Sequence, residues 1–181
     1  MKTPDHFKGT STLKAIILGC DPTAFDKSKK RLEFNTVFDI RGDNRYFAGI
    51  LANLREINLS LDDVYVQNLI PDYRDVESSK DKNWISAALE YISARKNEFD
   101  DLDPSCRVPV FLTSELIYKA LLNDNEKPRT PADIYDHPEQ FIIPASLNKL
   151  GRPLVPFYRH PAYSMKNKKD ISVRIKEVFN F

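Results

Sequence analysis

Residues 13–19 read LKAIILG, a short and almost unbroken apolar run that closes on a glycine. Such a run reads as a strand buried on both faces, and that in turn calls for a parallel sheet covered by helices. Everything else in the chain has to be compatible with it. Residues 46–57 carry Phe47, Ile50, Leu51, Leu54 and Ile57 at the spacing of an amphipathic helix. Residues 64–69 (VYVQNL) form a second predicted strand, stopped by Pro71. A helix is expected over 83–99, with Ile85, Ala88, Leu89 and Ile92 on one face. Residues 108–112 (VPVFL) give a third strand with Pro109 near its start. Ser114 and Glu115 then open a helix that reaches Leu122.

The stretch 123–153 contains prolines and has weak periodicity, so it reads as a long loop. Residues 154–158 (LVPFY) supply a fourth strand. Asp170 is expected to cap a C-terminal helix whose Ile171, Ile175, Val178 and Phe179 share a face. Strands and helices alternate throughout. The prediction is an α/β fold, a three-layer sandwich around a central four-stranded parallel sheet. A length of 181 residues bounds it to a single domain, 1–181.

Composition narrows the function classes. Lys and Arg number 27 against 26 Asp and Glu, which argues against a polybasic binder held by bulk charge. Two cysteines are too few for a disulfide scaffold, an iron–sulfur cluster or a four-cysteine zinc site. Five glycines, scattered, leave no glycine-rich phosphate cradle. Residues 1–12 are polar, and no apolar run approaches the ~20 residues that span a bilayer. A cytoplasmic protein with no membrane partner is the expectation.

In an open parallel sheet, ligands bind beyond the carboxyl ends of the strands. Here those ends carry Gly19-Cys20-Asp21-Pro22 after the first strand, Asn68 at the end of the second, and Arg159-His160-Pro161 after the last. Each has a plain structural reading: Asp-Pro marks turns, and an Asn at a strand end often bonds its own backbone. Together they bring an acid, an amide and an imidazole to one rim. Elsewhere, Arg41-Gly42-Asp43 reads as a turn, and Asp136-His137-Pro138-Glu139 has too few partners for a metal site. Cys20 has no paired base and reads as a packing residue.

With these residues in view, the chain resembles the uracil-DNA glycosylase superfamily over roughly Ala15 to Met165. GCDPTAFD is similar to that superfamily's first motif, and Phe34, in FNTV, stands fifteen positions after Gly19, near the spacing of a uracil-stacking Phe in the Asp-Pro branch. YFAGILANLREINLSLDDVYVQNLIPDY resembles the helix, loop and strand that deliver a base-reading Asn. VPVFLTSELIYKALL resembles the next strand and helix, and PLVPFYRHPAYSM the second motif, a strand ending in His-Pro.

The resemblance implies a DNA glycosylase of base excision repair, acting as a monomer without metal or cofactor. It assigns Asp21 to positioning or deprotonating a water and to stabilising cationic character on the sugar. It assigns His160 to a hydrogen bond on the departing base, where negative charge develops. Phe34 would stack the extruded base and Asn68 read its edge, with Cys20 and Thr23 completing the base pocket. The chain also departs from the pattern. Thr23 and Ala24 stand where the Asp-Pro branch has a Tyr-His pair that crowds out thymine, which leaves the lesion open. Ala162-Tyr163 replaces a small hydroxylic residue, so Tyr163 or Met165 is expected either to wedge into the base stack or to pack on the C-terminal helix.

Lys166, Lys168 and Lys169 follow the His-Pro step, and Lys27, Lys29, Lys30 and Arg31 follow Asp21-Pro22. Both clusters are expected to flank the pocket and meet DNA phosphates. Two further readings stay open: a nucleic-acid-binding module of this fold with weakened catalysis, and a hydrolase acting on free nucleosides or nucleotides.

Overall fold

The apolar segment forms the middle of the sheet. In the computed structural model, which describes residues 2–181, the strands are β1 (Phe7–Lys8), β2 (Ala15–Gly19), β3 (Val64–Asn68), β4 (Val110–Leu112) and β5 (Leu154–Pro156). Their order across the sheet is β1-β3-β2-β4-β5. The last four run parallel, as the buried run requires, and every residue of β2 is buried. The expected count of four strands is corrected by β1, which pairs antiparallel with β3 through Phe7 opposite Val66 and Lys8 opposite Tyr65. A two-residue strand has no periodicity for a sequence to display.

The register sorts the sheet into two apolar faces. Ile16, Tyr65, Val110 and Leu154 lie side by side on one, and Ile17, Val66, Phe111 and Val155 on the other. Helix α2 (Trp84–Leu102) covers the first face, where Phe99 meets the Tyr65 ring at 6.4 Å and the Tyr65 hydroxyl donates to Glu98. Phe181 meets Phe111 on the second face, beyond α5 (Lys169–Phe179). Met165 ties α5 to α1 (Ala48–Glu56): its N–H donates to Asn53 and its carbonyl accepts from Ser172.

The chain passes from β2 through α1 to β3, then returns through α2 across β2 to β4. Winding therefore reverses between β2 and β4, and the loops after those two strands diverge to opposite faces. A crevice opens there, at the sheet's carboxyl edge.

Three details differ from the expectation. The buried stripe of α2 is Trp84, Ala88, Ile92, Arg95 and Phe99, while Leu89 is 46% exposed. The segment 123–153 holds a helix, α4 (Pro131–Asp136), whose N-cap Thr130 accepts from the Asp133 N–H. Six residues are too few to display a helical period, although Thr-Pro before Asp133 is the capping signal. Asp170 lies inside the first turn of α5 and does not cap it; it faces the positive end of the helix dipole instead. Between β4 and α4, α3 (Glu115–Leu121) starts at Ser114, which caps it by accepting from the Leu116 N–H.

A buried ion cluster closes the amino-terminal end of the sheet. Arg152, 0% exposed, donates to Asp100 at 2.7 Å and to Asp103 at 3.3 Å, and reaches the carbonyls of Asp103 and Val108. It stitches the end of α2 to the residues entering β4 and β5. No helix among the described residues is long and apolar enough to cross a membrane.

Candidate functional site

A cleft of about 420 Å³ occupies the crevice where the winding reverses, lined from the ends of β2, β3 and β4 and by Arg159 beyond β5. Its floor depends on Gly19. A methyl group there would lie 2.3 Å from Asn68 Oδ1 and 2.6 Å from Phe38 Cζ, so only hydrogen fits. Gly19→Ala therefore has to displace the Asn68 amide or the Phe38 ring, costing about 1–3 kcal/mol of stability by overpacking. The expected result is a lower melting temperature together with weaker binding of any ligand read by Asn68. A variant matching wild type in both would show that the floor yields freely.

Asn68 is 2% exposed and its backbone is clamped: the N–H donates to Gln67 Oε1 at 2.9 Å and the carbonyl accepts from Arg95 Nε at 2.8 Å. Its side-chain amide, bordering the cleft, makes no hydrogen bond among the described residues. A donor and an acceptor are thus presented to the cleft on a rigidly held residue.

Phe34 lines the same cleft, edge-on to Tyr46 at 5.1 Å, with its own N–H donating to the Tyr73 hydroxyl at 2.8 Å. Phe38 and Asp39 both adopt left-handed backbone, at φ 53° and 52°. That conformation costs roughly 1–2 kcal/mol for each non-glycine residue. It places the Phe38 ring against Gly19, packed on Phe47 at 5.7 Å. The Arg159 guanidinium lies over the Phe38 ring, 5.6 Å from its centre. Neither Phe38 nor Arg159 was assigned a role from the sequence. Arg159 stood in view as the neighbour of His160, whereas nothing local marks Phe38, which depends on an unusual turn.

Asp21 is half-buried at the cleft's edge, and both of its oxygens are engaged. Oδ1 accepts from the Thr23 N–H at 2.9 Å and Oδ2 from the indole N–H of the fully buried Trp84 at 2.7 Å. Thr23 in turn accepts the Arg74 N–H on its hydroxyl at 2.7 Å, which fixes the loop. Burial pushes the Cys20 thiol up to about 11; the Ser114 and Ser78 hydroxyls and Arg159 pull it down, and Asp21 raises it. At neutral pH it is an uncharged part of the wall and no nucleophile.

His160 does not join this cleft. It is exposed and borders an adjoining cavity of about 340 Å³, with its Nδ1 accepting the Ala162 N–H at 3.2 Å. The expected convergence on one rim is thus divided: Asp21, Asn68, Phe34, Cys20 and Thr23 share a cleft, and His160 stands next door. Tyr163 is half-buried, tilted against Tyr135 at 4.5 Å, and lines the same adjoining cavity. Met165 is 0% exposed, which corrects its placement among DNA contacts. Short helical turns after His160 coil the chain back so that Met165 plugs the core between α1 and α5. Lys166 and Lys169 are exposed, Lys168 pairs with Asp136 at 3.4 Å, and all three border a separate cavity. On the cleft side, Lys27, Lys29 and Lys30 are exposed, while Arg31 lies near Phe25 and Asp75.

Among the described residues, no group of three or more His, Cys, Asp or Glu could hold a metal ion. The molecule is thus an α/β protein with a polar-and-aromatic cleft at the sheet's switch point. Neither a protein-family model nor a curated protein sequence matches this chain.

Proposed function

We propose that this protein is a DNA glycosylase that hydrolyses the N-glycosidic bond of uracil or a related deaminated base, without metal or cofactor. The observation that carries the reading is the Asn68 amide, on a residue clamped through its backbone, facing the cleft and unpartnered among the described residues, beside Phe34 and Asp21. The amide opens on the cleft with its donor and acceptor uncommitted to other side chains or backbone, and a ligand edge that offers a carbonyl beside an N–H can pair with both. Deaminated bases present that pair of groups. A base extruded from DNA gains an aromatic face in such a pocket, here from Phe34. Asp21, held by Thr23 and Trp84, retains lone pairs with which to orient a water and offset positive charge on the sugar. His160 would have to turn out of the adjoining cavity to reach the departing base. The exposed Lys27, Lys29 and Lys30 supply phosphate contacts that weaken as salt rises.

A second reading, a base-binding module without turnover, is favoured by two facts. Both Asp21 oxygens already accept hydrogen bonds, and His160 lies outside the cleft. The deciding experiment is alkaline nicking of single- and double-stranded oligonucleotides that contain uracil, hypoxanthine or xanthine, with free nucleosides in parallel. The glycosylase reading expects strand scission at one of these bases and none on undamaged DNA. Binding without scission selects the module, and turnover of free nucleosides alone selects a nucleoside hydrolase.

A further inference from the structure

We infer that the smaller cavity beside the cleft is a subsite for a second nucleotide, and that Arg159 holds the phosphate joining it to the nucleotide whose base enters the cleft. The inference rests on the base-binding reading of the larger cleft.

The two cavities share a ridge, since Thr113, Ser114 and Arg159 border both. Arg159 is anchored there by its backbone N–H, which donates to the Thr113 carbonyl at 3.2 Å. Its guanidinium lies over the Phe38 ring, and no carboxylate among the described residues pairs with it. A guanidinium without a carboxylate partner keeps N–H donors for two parallel bonds, the geometry a phosphate accepts. A cation on a ridge between two pockets sits where a phosphodiester passes from one nucleotide to the next.

The smaller cavity suits a base and not a second phosphate. Tyr163 and His160, with ring centres 5.8 Å apart, offer aromatic surface for stacking. Tyr158 also borders it, with a buried hydroxyl that lacks a partner among the described residues. Glu115, paired through one oxygen with Lys119 at 2.6 Å, brings a carboxylate to the same cavity whose other oxygen can accept from an exocyclic amine. Charge thus orders the site: positive on the ridge, negative and aromatic beyond it.

Calorimetric titration of the full chain tests this with probes built on 2′-fluoro-2′-deoxyuridine, whose electron-withdrawing fluorine suppresses cleavage. The series comprises the nucleoside, its 3′- and 5′-monophosphates, and the dinucleotides that extend each side with deoxycytidine. One dinucleotide is expected to bind about tenfold or more tighter than the nucleoside, with part of the gain already present in the matching monophosphate. Arg159→Gln, at an exposed side chain, is expected to remove the phosphate gain, and His160→Ala only the further gain from the second base. Equal binding of nucleoside and dinucleotides, a gain that survives Arg159→Gln, or no binding by any probe overturns the proposal. A dinucleotide with an abasic sugar in place of uridine separates the two readings. If it binds as tightly as the uracil probe and still depends on Arg159, the ridge stands and the base-binding reading falls.

Discussion

On the proposed glycosylase function, Asp21→Asn is expected to slow base excision by about 100- to 10,000-fold, the range for loss of a positioned general base. Asparagine preserves the shape of the side chain but not its charge or its second acceptor. Of the two donors that converge on Asp21, the Thr23 N–H and the Trp84 indole, one loses its partner. That costs roughly 1–3 kcal/mol of stability if the orphaned group stays buried. The two effects separate in measurement. Single-turnover excision at saturating enzyme reports the chemical step, and thermal melting reports the lost bond. Affinity for the uncleavable dinucleotide is expected to change little, because Asn68, Phe34 and Arg159 are untouched. Excision at the wild-type rate in a folded Asp21→Asn protein would remove Asp21 from the mechanism.

Arg152→Met destabilises the fold by about 3 kcal/mol, toward the lower end for breaking a buried ion pair, because Asp100 and Asp103 retain some contact with water. For a chain of this size that lowers the melting temperature by about 6–12 °C. The methionine fills much of the arginine's volume, so the loss comes from two carboxylates left without their shared cation. The pH dependence is diagnostic. Asp100 is lowered from 3.8 to about 2, first by the hydrogen bond from Lys96 and further by Arg152. A depressed carboxyl contributes its stability above its ordinary value and loses it as pH falls toward the folded value. Lys96 still pairs with Asp100 in the variant, so the gap between wild type and Arg152→Met is expected to be largest above pH 4 and to narrow, without vanishing, as pH falls toward about 2. A gap that widens on acidification would place the arginine's contribution elsewhere.

How much of this was legible follows from where each property is encoded. Strand β2 was, because a doubly buried strand writes its burial into consecutive residues from Ala15 to Leu18. Strand β1 was not, because Phe7 and Lys8 are strand only by virtue of β3 alongside. On α2, Arg95 faces inward although it is no part of an apolar stripe, and its bond to the Asn68 carbonyl holds it there; Trp84 continues the stripe and its indole N–H reaches Asp21. The cleft follows the same division. Asp21, Asn68 and Phe34 were within reach because strand ends and motif spacing are linear properties. Phe38 was out of reach, since its place depends on two consecutive left-handed residues with no glycine to announce them. Of the two expectations for Met165, packing on the C-terminal helix is the one the structure has: its place just after the His-Pro step could not decide between them, because the turns after His160 are what direct it inward.

The burial of Met165 has a mechanical consequence. The segment that carries Arg159, His160 and Tyr163 leaves the sheet at Phe157, whose N–H bonds Leu112, and is pinned again at Met165 by Asn53 and Ser172. Fixed at both ends, it behaves as a short span between two piers and not as a free arm. It cannot lengthen, and within it the Tyr158 N–H donates to the Tyr135 hydroxyl and the Arg159 N–H to the Thr113 carbonyl, so the positions of Arg159, His160 and Tyr163 are set by the core on either side.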